Sequence, residues 1–124
     1  LYQRLGIRIS DYPKGSKQYD DMATHIHNRR LKNLKTVYKM TSDNFHTLWE
    51  KQNGRCGICD VPLEWFVERA GGDGPHIDHC HITNRVRGIL CKRCNNGLGH
   101  FLDNPTSLRR AAEYLESPPA HDVL

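Results

Sequence analysis

The stretch HIDHCHITNRVRGILCKRCNNG, residues 76–97, concentrates histidines, cysteines, asparagines and an aspartate. It predicts two strands, 76–82 and 85–90, joined through Asn84, a residue that tolerates the left-handed conformation of a tight hairpin. The pattern then changes to a helix that runs toward Phe101. The stretch therefore predicts a hairpin followed by a helix, with its metal-binding side chains at the junction.

The chain contains five cysteines. Four form two C-x-x-C pairs, Cys56/Cys59 and Cys91/Cys94, while Cys80 stands apart. A C-x-x-C turn points two thiolates inward, and two such turns complete the tetrahedron that Zn²⁺ prefers. An odd number of cysteines argues against an all-disulfide scheme, although disulfides or an iron centre remain alternatives to zinc. Four cysteine ligands would leave no open position, so the predicted zinc is structural.

A second group of polar side chains lies outside the cysteine pairs. Asp78 and Asn95 offer the hard oxygen atoms that Mg²⁺ binds, and His79 could act as a base near neutral pH. The alternative is that His79, with His76 and His81, only packs within the hairpin. Adjacent residues of an ideal strand point to opposite faces, so Asp78 and His79 can share a site only where the strand twists, bulges or ends.

Helices are predicted on both sides of this stretch. Residues 1–20 predict an irregular arm, and apolar residues at helical spacing predict a basic amphipathic helix over about 21–40. Thr41 or Ser42 would cap a second helix that stops near Gly54. Asn104, followed by a proline, would cap a last helix that ends before Pro118.

Positive charge is unevenly distributed along the chain. Lys and Arg outnumber Asp and Glu by 18 to 14, and residues 22–42 contain no acidic side chain. This asymmetry favours a polyanionic partner, although a solvated basic helix face is the plain alternative. The candidate phosphate contacts are Arg29, Arg30, Lys32, Lys35, Arg85, Arg87, Lys92 and Arg93.

The motifs CGIC, HIDHCH, RVRGILCKRCNNGLG and DNPTSLRRAAEYL, in this order, resemble the recombination endonuclease VII family of zinc-containing HNH, or His-Me finger, nucleases. The resemblance covers roughly residues 45–115. It implies that Asp78 and Asn95 bind a catalytic Mg²⁺ or Mn²⁺, that His79 is the general base, and that His76 and His81 have auxiliary roles. Asn84 stands where the family usually has a glycine.

The expected fold is α+β and mainly helical, with a small ββα-metal core and a structural four-cysteine zinc site. We divide it into a basic arm and helix (1–40) for DNA contact or dimerisation, a nuclease domain (41–117) and a flexible tail (118–124). The resemblance implies a one-metal DNA endonuclease that leaves 5′-phosphate and 3′-hydroxyl ends. Its substrate would be branched DNA, or a sequence read by a restriction, nicking or homing enzyme.

A zinc-ribbon module that binds DNA without cutting it is the alternative from another class. DNA is the expected partner, and an enzyme that cuts both strands of a junction would be a homodimer. No apolar run approaches the roughly 20 residues of a membrane span, so no membrane is expected. The expected location is the cytoplasm of a bacterial or phage-infected cell.

Overall fold

A computed structural model of the chain describes residues 9–65 and 74–124. These residues form two 3-10 turns, Ile9–Asp11 and Pro119–Asp122, and a small set of regular elements. The prediction of a mainly helical α+β fold is confirmed. Within the described ranges, no helix is long and apolar enough to cross a membrane. In chain order the elements are α1 (Lys17–Tyr38), α2 (Ser42–Lys51), β1 (His76–His79), β2 (Val86–Leu90), α3 (Lys92–His100) and α4 (Pro105–Glu116).

Helix α1 begins at Lys17 rather than near residue 21, because Ser16 caps it. The Ser16 hydroxyl oxygen accepts a hydrogen bond from the Tyr19 N–H at 3.2 Å, which satisfies one of the free N–H groups of the first turn. The helix ends where Lys39 takes the left-handed conformation, with φ of 56°. The predicted irregular arm is therefore shorter than expected, and its residues 1–8 lie outside the described ranges.

The described core has two parts, and α1 contributes to both. Its first half packs Met22 and Ile26 against Ile9. Its second half places Leu34 in the main cluster of buried residues, which comprises Leu34, Phe45, Cys56, Leu63, Ile89, Leu90 and Cys91. The second half of α1 therefore packs on the nuclease domain predicted to begin at residue 41, while the division at that residue stays a prediction.

Strands β1 and β2 form a two-stranded antiparallel sheet. His76 pairs with Leu90, and the register shifts between Asp78 and His79, so the sheet contains a bulge. Both strands are shorter than predicted because the residues after β1 form a turn. Asn84 takes the left-handed conformation predicted for it, with φ of 60°.

Gln52, the residue after α2, ties that helix to the sheet. Its side-chain amide donates to the Ile89 carbonyl oxygen at 2.8 Å, and its carbonyl oxygen accepts from the Ile89 N–H at 3.0 Å. Ile89 is fully buried, so Gln52 satisfies backbone groups that water cannot reach. The cap predicted at the other end of α2 is also confirmed, since Thr41 accepts from the Asn44 N–H.

Helix α4 follows the predicted pattern. The Asn104 side chain accepts hydrogen bonds from the Thr106 and Ser107 N–H groups, and Pro105 is the first helical residue. The helix ends at Glu116, and a 3-10 turn occupies part of the predicted tail. Much of the apolar side of α4 is exposed, with Leu115 at 76%.

Candidate active site and zinc centre

The four cysteines of the two C-x-x-C pairs converge on one point. The sulfur atoms of Cys56, Cys59, Cys91 and Cys94 all lie within 4.8 Å of one another. The Cys59 and Cys91 sulfurs are 3.7 Å apart, close to the edge of about 3.8 Å that a tetrahedron of Zn–S bonds would have. All five cysteines of the chain are free thiols rather than disulfides. The cluster therefore fits a zinc ion.

Local backbone structure brings these thiols together. The first pair lies in a tight turn that closes when the Cys56 N–H donates to the Val61 carbonyl oxygen at 2.9 Å. In the second pair, Cys91 caps α3, and its sulfur accepts from the Cys94 N–H at 3.4 Å. A helix N-terminus favours negative charge, so it also favours the thiolate form that a metal requires.

The pKa values of two of the thiols differ strongly, which bears on whether the cluster could bind a cation. Burial raises the pKa of the Cys56 thiol, but hydrogen bonds from the backbone N–H groups of Cys91, Cys59 and Ile58 outweigh burial and lower that pKa to about 6. Burial and the neighbouring thiols raise the pKa of Cys94 to about 12. The protein alone therefore supports some thiolates but not the full set, and a divalent cation would supply the missing charge.

Asp78 and His79 lie at the end of β1, where the register with β2 shifts. Asp78 pairs with Gly88 and His79 with Val86, so β2 has an extra residue, Arg87, opposite this end of β1. Both side chains, together with Asn95 of α3, line a cavity of about 320 Å³. The structure therefore removes the geometric difficulty that an ideal strand would create.

His79 is held with one ring nitrogen toward its own strand. Its Nδ1 lies 3.4 Å from the Ile77 carbonyl oxygen. A carbonyl oxygen can only accept, so this contact needs a proton on Nδ1, and in the neutral ring Nε2 then has the free lone pair. The ring also lies near two others, 5.4 Å from Tyr38 and 5.0 Å from His81 between centroids. This tautomer gives His79 a nitrogen that can accept a proton.

Asp78 is buried and paired with Arg87. The guanidinium donates from Nε and Nη2 to the two carboxylate oxygens, both at 2.7 Å. The same Nη2 lies 3.4 Å from an oxygen of Asp103. Hydrogen bonding to Asp78 raises the pKa of Arg87, so the guanidinium is charged. Arg87, predicted as a phosphate contact, thus lies between two carboxylates.

The two histidines predicted to have auxiliary roles line different cavities, both of which His79 also borders. His81 is exposed beyond the end of β1, with Nε2 3.9 Å from an Asp103 oxygen, and it lines the same cavity as Asp78. His76 lines a neighbouring cavity of about 290 Å³, which is also bordered by His79 and Asn95. Only His81 therefore shares the cavity that contains Asp78.

The predicted phosphate contacts fall into separate groups. Arg30 of α1 lies 5.0 Å from the Trp65 ring centroid and lines the 290 Å³ cavity beside His79. Arg29 is half-buried, while Lys32 and Lys35 on α1 and Arg85 and Lys92 near the hairpin are exposed. Arg93 lies beside the cysteine cluster. A hydrogen bond to Cys59 and the charges of the cluster raise the pKa of its guanidinium.

Two further polar residues of the Asp78 cavity escaped the sequence analysis. His100 is the last residue of α3, and Asp103 follows that helix in a left-handed conformation with φ of 53°. Both line the cavity. Neither belongs to the stretch 76–97, although Asp103 is the first residue of the motif DNPTSLRRAAEYL. Their position in the cavity depends on how α3 lies against the hairpin, which no local sequence pattern predicts.

Comparison with known proteins identifies the family. Residues 31–117 match recombination endonuclease VII. The chain belongs to this family. It is also 40% identical over 91 residues to the Gene 59 protein of Mycobacterium phage L5, an alignment covering 71% of this chain and 51% of that protein. The corresponding protein of Mycobacterium phage D29 is 39% identical over 91 residues, covering 71% and 50%.

The chain spans about half the length of the curated relatives it matches. No solved structure matches it. The four-cysteine cluster is a site that could bind zinc.

Proposed function

We propose that this protein is an HNH-type DNA endonuclease that hydrolyses phosphodiester bonds with one Mg²⁺ or Mn²⁺ and leaves 5′-phosphate and 3′-hydroxyl ends. The observation that carries the proposal is the meeting of Asp78, His79 and Asn95 in one cavity. They combine two oxygen donors with a base whose Nε2 is available. These are the protein groups that metal-assisted hydrolysis of a phosphate ester needs.

The residues present fit a hard cation. Asp78 and Asn95 supply a carboxylate and an amide oxygen, and Mg²⁺ commonly takes only one or two protein ligands. Arg87 donates to both Asp78 oxygens, but each carboxylate oxygen has a second lone pair for a further partner. A bound cation would offset the negative charge that develops on the phosphate and on the leaving 3′ oxygen.

His79 would accept the proton of the attacking water at Nε2. Its Nδ1 contact with the Ile77 carbonyl oxygen fixes the tautomer that this role requires. The neighbouring Tyr38 and His81 rings would limit how far the imidazole can turn. In this way the chain would orient the base before the substrate arrives, which is where positioning contributes most to the rate.

DNA would approach along the second half of α1. Arg30 lines a cavity that His79 also borders, so the basic side of the helix continues to the proposed catalytic centre. Phosphates of the DNA would be bound, without recognition of bases, by Arg30 and by the exposed Lys32, Lys35, Arg85 and Lys92. Arg29 would add positive charge to this DNA-binding surface. Arg93 would contact a phosphate and would also interact with the thiolates of the cysteine cluster.

The proposed substrate is branched DNA, as the family name suggests. Resolution of a four-way junction needs two cuts, so we propose a homodimer with two such sites. The alternative is a restriction, nicking or homing enzyme that reads a sequence, since a fold does not fix the substrate. The auxiliary roles of His76 and His81 remain part of the proposal.

The test compares a synthetic four-way junction, a linear duplex of the same sequence and a mixed-sequence plasmid, each with Mg²⁺, with Mn²⁺ and with neither. The proposal predicts metal-dependent cleavage of the junction in preference to the duplex, with ends that ligate without prior phosphorylation. A discrete fragment pattern from the plasmid would favour a sequence-reading enzyme. Tight DNA binding without any product would identify a zinc-ribbon binding module and overturn the proposal.

A further inference from the structure

The pair formed by Asp78 and Arg87 has a geometry that suits a metal ligand better than a DNA contact. We propose that Arg87 is a positioning residue for the cation site: it holds the Asp78 carboxylate so that its remaining lone pairs face His79 and Asn95. This inference rests on the proposed function, because it needs a cation at Asp78. It replaces the expectation that Arg87 contacts a DNA phosphate.

The first observation is that the carboxylate cannot rotate freely. Two parallel hydrogen bonds of 2.7 Å fix its plane, since a planar guanidinium matches a carboxylate only in the bidentate arrangement. Asp78 is 7% exposed, and a buried carboxylate needs a counter-charge. Arg87 supplies that charge and an orientation together.

The second observation concerns the side from which Arg87 approaches. Asp78 borders two cavities, one of about 320 Å³ with His79 and Asn95 and one of about 550 Å³ with Arg87. Of these two cavities, Arg87 lines the larger, whereas His79 and Asn95 line the smaller. The arginine and the proposed cation would therefore approach the Asp78 carboxylate from different cavities.

The third observation concerns the surroundings of Arg87. The bulge leaves Arg87 as the residue of β2 without a partner in β1, between Val86 and Gly88. Asp103, whose side chain is 22% exposed, lies 3.4 Å from the guanidinium. A phosphate contact would have to compete with both carboxylates, whereas a positioning role uses the contacts as they stand. Outer partners of this kind commonly tune metal affinity.

The test measures Mn²⁺ affinity by electron paramagnetic resonance on the zinc-loaded protein without DNA. Because no DNA is present, a phosphate contact cannot influence the result. Arg87→Gln should weaken Mn²⁺ binding by about 10- to 100-fold, and Arg87→Lys, which keeps the charge but loses the fork, should weaken it as well. Asp103→Asn should act in the same direction with a smaller effect. Thermal melting reports whether each variant is folded.

Two control variants separate the possible roles of an arginine. Arg109→Gln changes an exposed arginine of α4 and should leave Mn²⁺ affinity unchanged. Arg85→Gln should lower DNA affinity and leave Mn²⁺ affinity unchanged, as expected of a phosphate contact. If Arg87→Gln behaved like Arg85→Gln, Arg87 would be a phosphate contact and the inference would be wrong.

Asp78→Asn distinguishes failure of the inference from failure of the proposed function. This change should abolish most Mn²⁺ binding, and adding Arg87→Gln to it should cause no further loss, because Arg87 acts through Asp78. Mn²⁺ binding that depends on Asp78 but is unchanged or tighter in the folded Arg87 variants would overturn the positioning role alone. Wild-type protein that binds no Mn²⁺ would overturn the cation site, and the inference with it.

Discussion

The cysteine cluster and the Asp78 cavity share helix α3 but differ in how their charges are balanced. The cluster gathers four soft ligands within 4.8 Å, and the neighbouring thiols help to raise the pKa of Cys94 to about 12. Asp78 instead has a guanidinium against both of its oxygens. The cysteine cluster would therefore gain most of its stabilising charge from a metal ion, whereas the Asp78 carboxylate already has a partner within the chain.

This difference explains how one protein could bind one metal ion permanently and exchange another with the solvent. A site whose ligands repel each other until the metal binds couples metal binding to folding. A carboxylate that is already paired with an arginine can lose a bound cation without loss of the fold. We expect removal of metal from the two sites to have very different consequences, and the following changes test that expectation.

The largest effect should come from Cys91→Ser. This change removes a predicted zinc ligand and places a hydroxyl at a buried core position, although serine can still cap α3. The loss should be comparable to the whole stability of such a domain, about 5–15 kcal/mol. Circular dichroism should show a largely unfolded chain without zinc. Cys80→Ser, outside the cluster, is the matched control and should retain zinc. A folded Cys91→Ser protein would mean that the cluster is not needed for folding.

His79→Ala should have the next largest effect, and on the rate alone. Loss of a general base typically slows a reaction by about 100- to 10,000-fold, while melting temperature and zinc content should stay near those of the wild type. The rate of plasmid or junction cleavage in Mg²⁺ is the measurement. His121→Ala, an exposed histidine of the last 3-10 turn, serves as the control. Equal rates for His79→Ala and wild type would remove His79 from the mechanism.

Gln52→Ala should reduce stability moderately without touching either metal site. It leaves the buried Ile89 N–H without the acceptor it has at 3.0 Å, and an unsatisfied buried group costs about 1–3 kcal/mol. Urea unfolding measures the change. Glu50→Ala, an exposed neighbour on α2, should stay within about 0.5 kcal/mol of the wild type. A Gln52→Ala protein as stable as Glu50→Ala would show that the hydrogen bonds between Gln52 and Ile89 contribute little to stability.

The smallest effect should come from Lys35→Gln on α1. If Lys35 contacts one phosphate, the slope of log affinity against log salt should fall in magnitude by about 0.9. Binding of a labelled duplex across a range of salt concentrations gives that slope. Lys17→Gln, which removes a lysine paired with Asp21 at the start of the same helix, should leave the slope unchanged. A common slope for both variants and wild type would place DNA elsewhere on the protein.

The cysteine cluster and the helix ends could be predicted because their signals are local. A C-x-x-C pair brings its own geometry, and the caps at Thr41 and Asn104 depend on residues within one helical turn. The left-handed conformation of Asn84 likewise follows from the intrinsic preference of asparagine. Each of these features is decided within a few residues of sequence, so the sequence alone was sufficient.

The contacts around Asp78 could not be predicted because they depend on register. A bulge shifts which residues of β1 and β2 face each other, and strand alternation contains no sign of it. The positive charge of Arg87 predicts a phosphate contact, whereas its pairing with Asp78 depends on that shift in register. The hydrogen bond between Gln52 and Ile89 joins residues 37 apart. No local sequence pattern can therefore predict it.

The most direct test of the two-site account is dialysis of the purified protein against metal-free buffer, followed by zinc analysis, a melting curve and a cleavage assay. The account predicts that zinc and the fold are retained, that cleavage is lost, and that Mg²⁺ or Mn²⁺ alone restores it. Full cleavage without added Mg²⁺ or Mn²⁺, or recovery only when zinc is added, would contradict it.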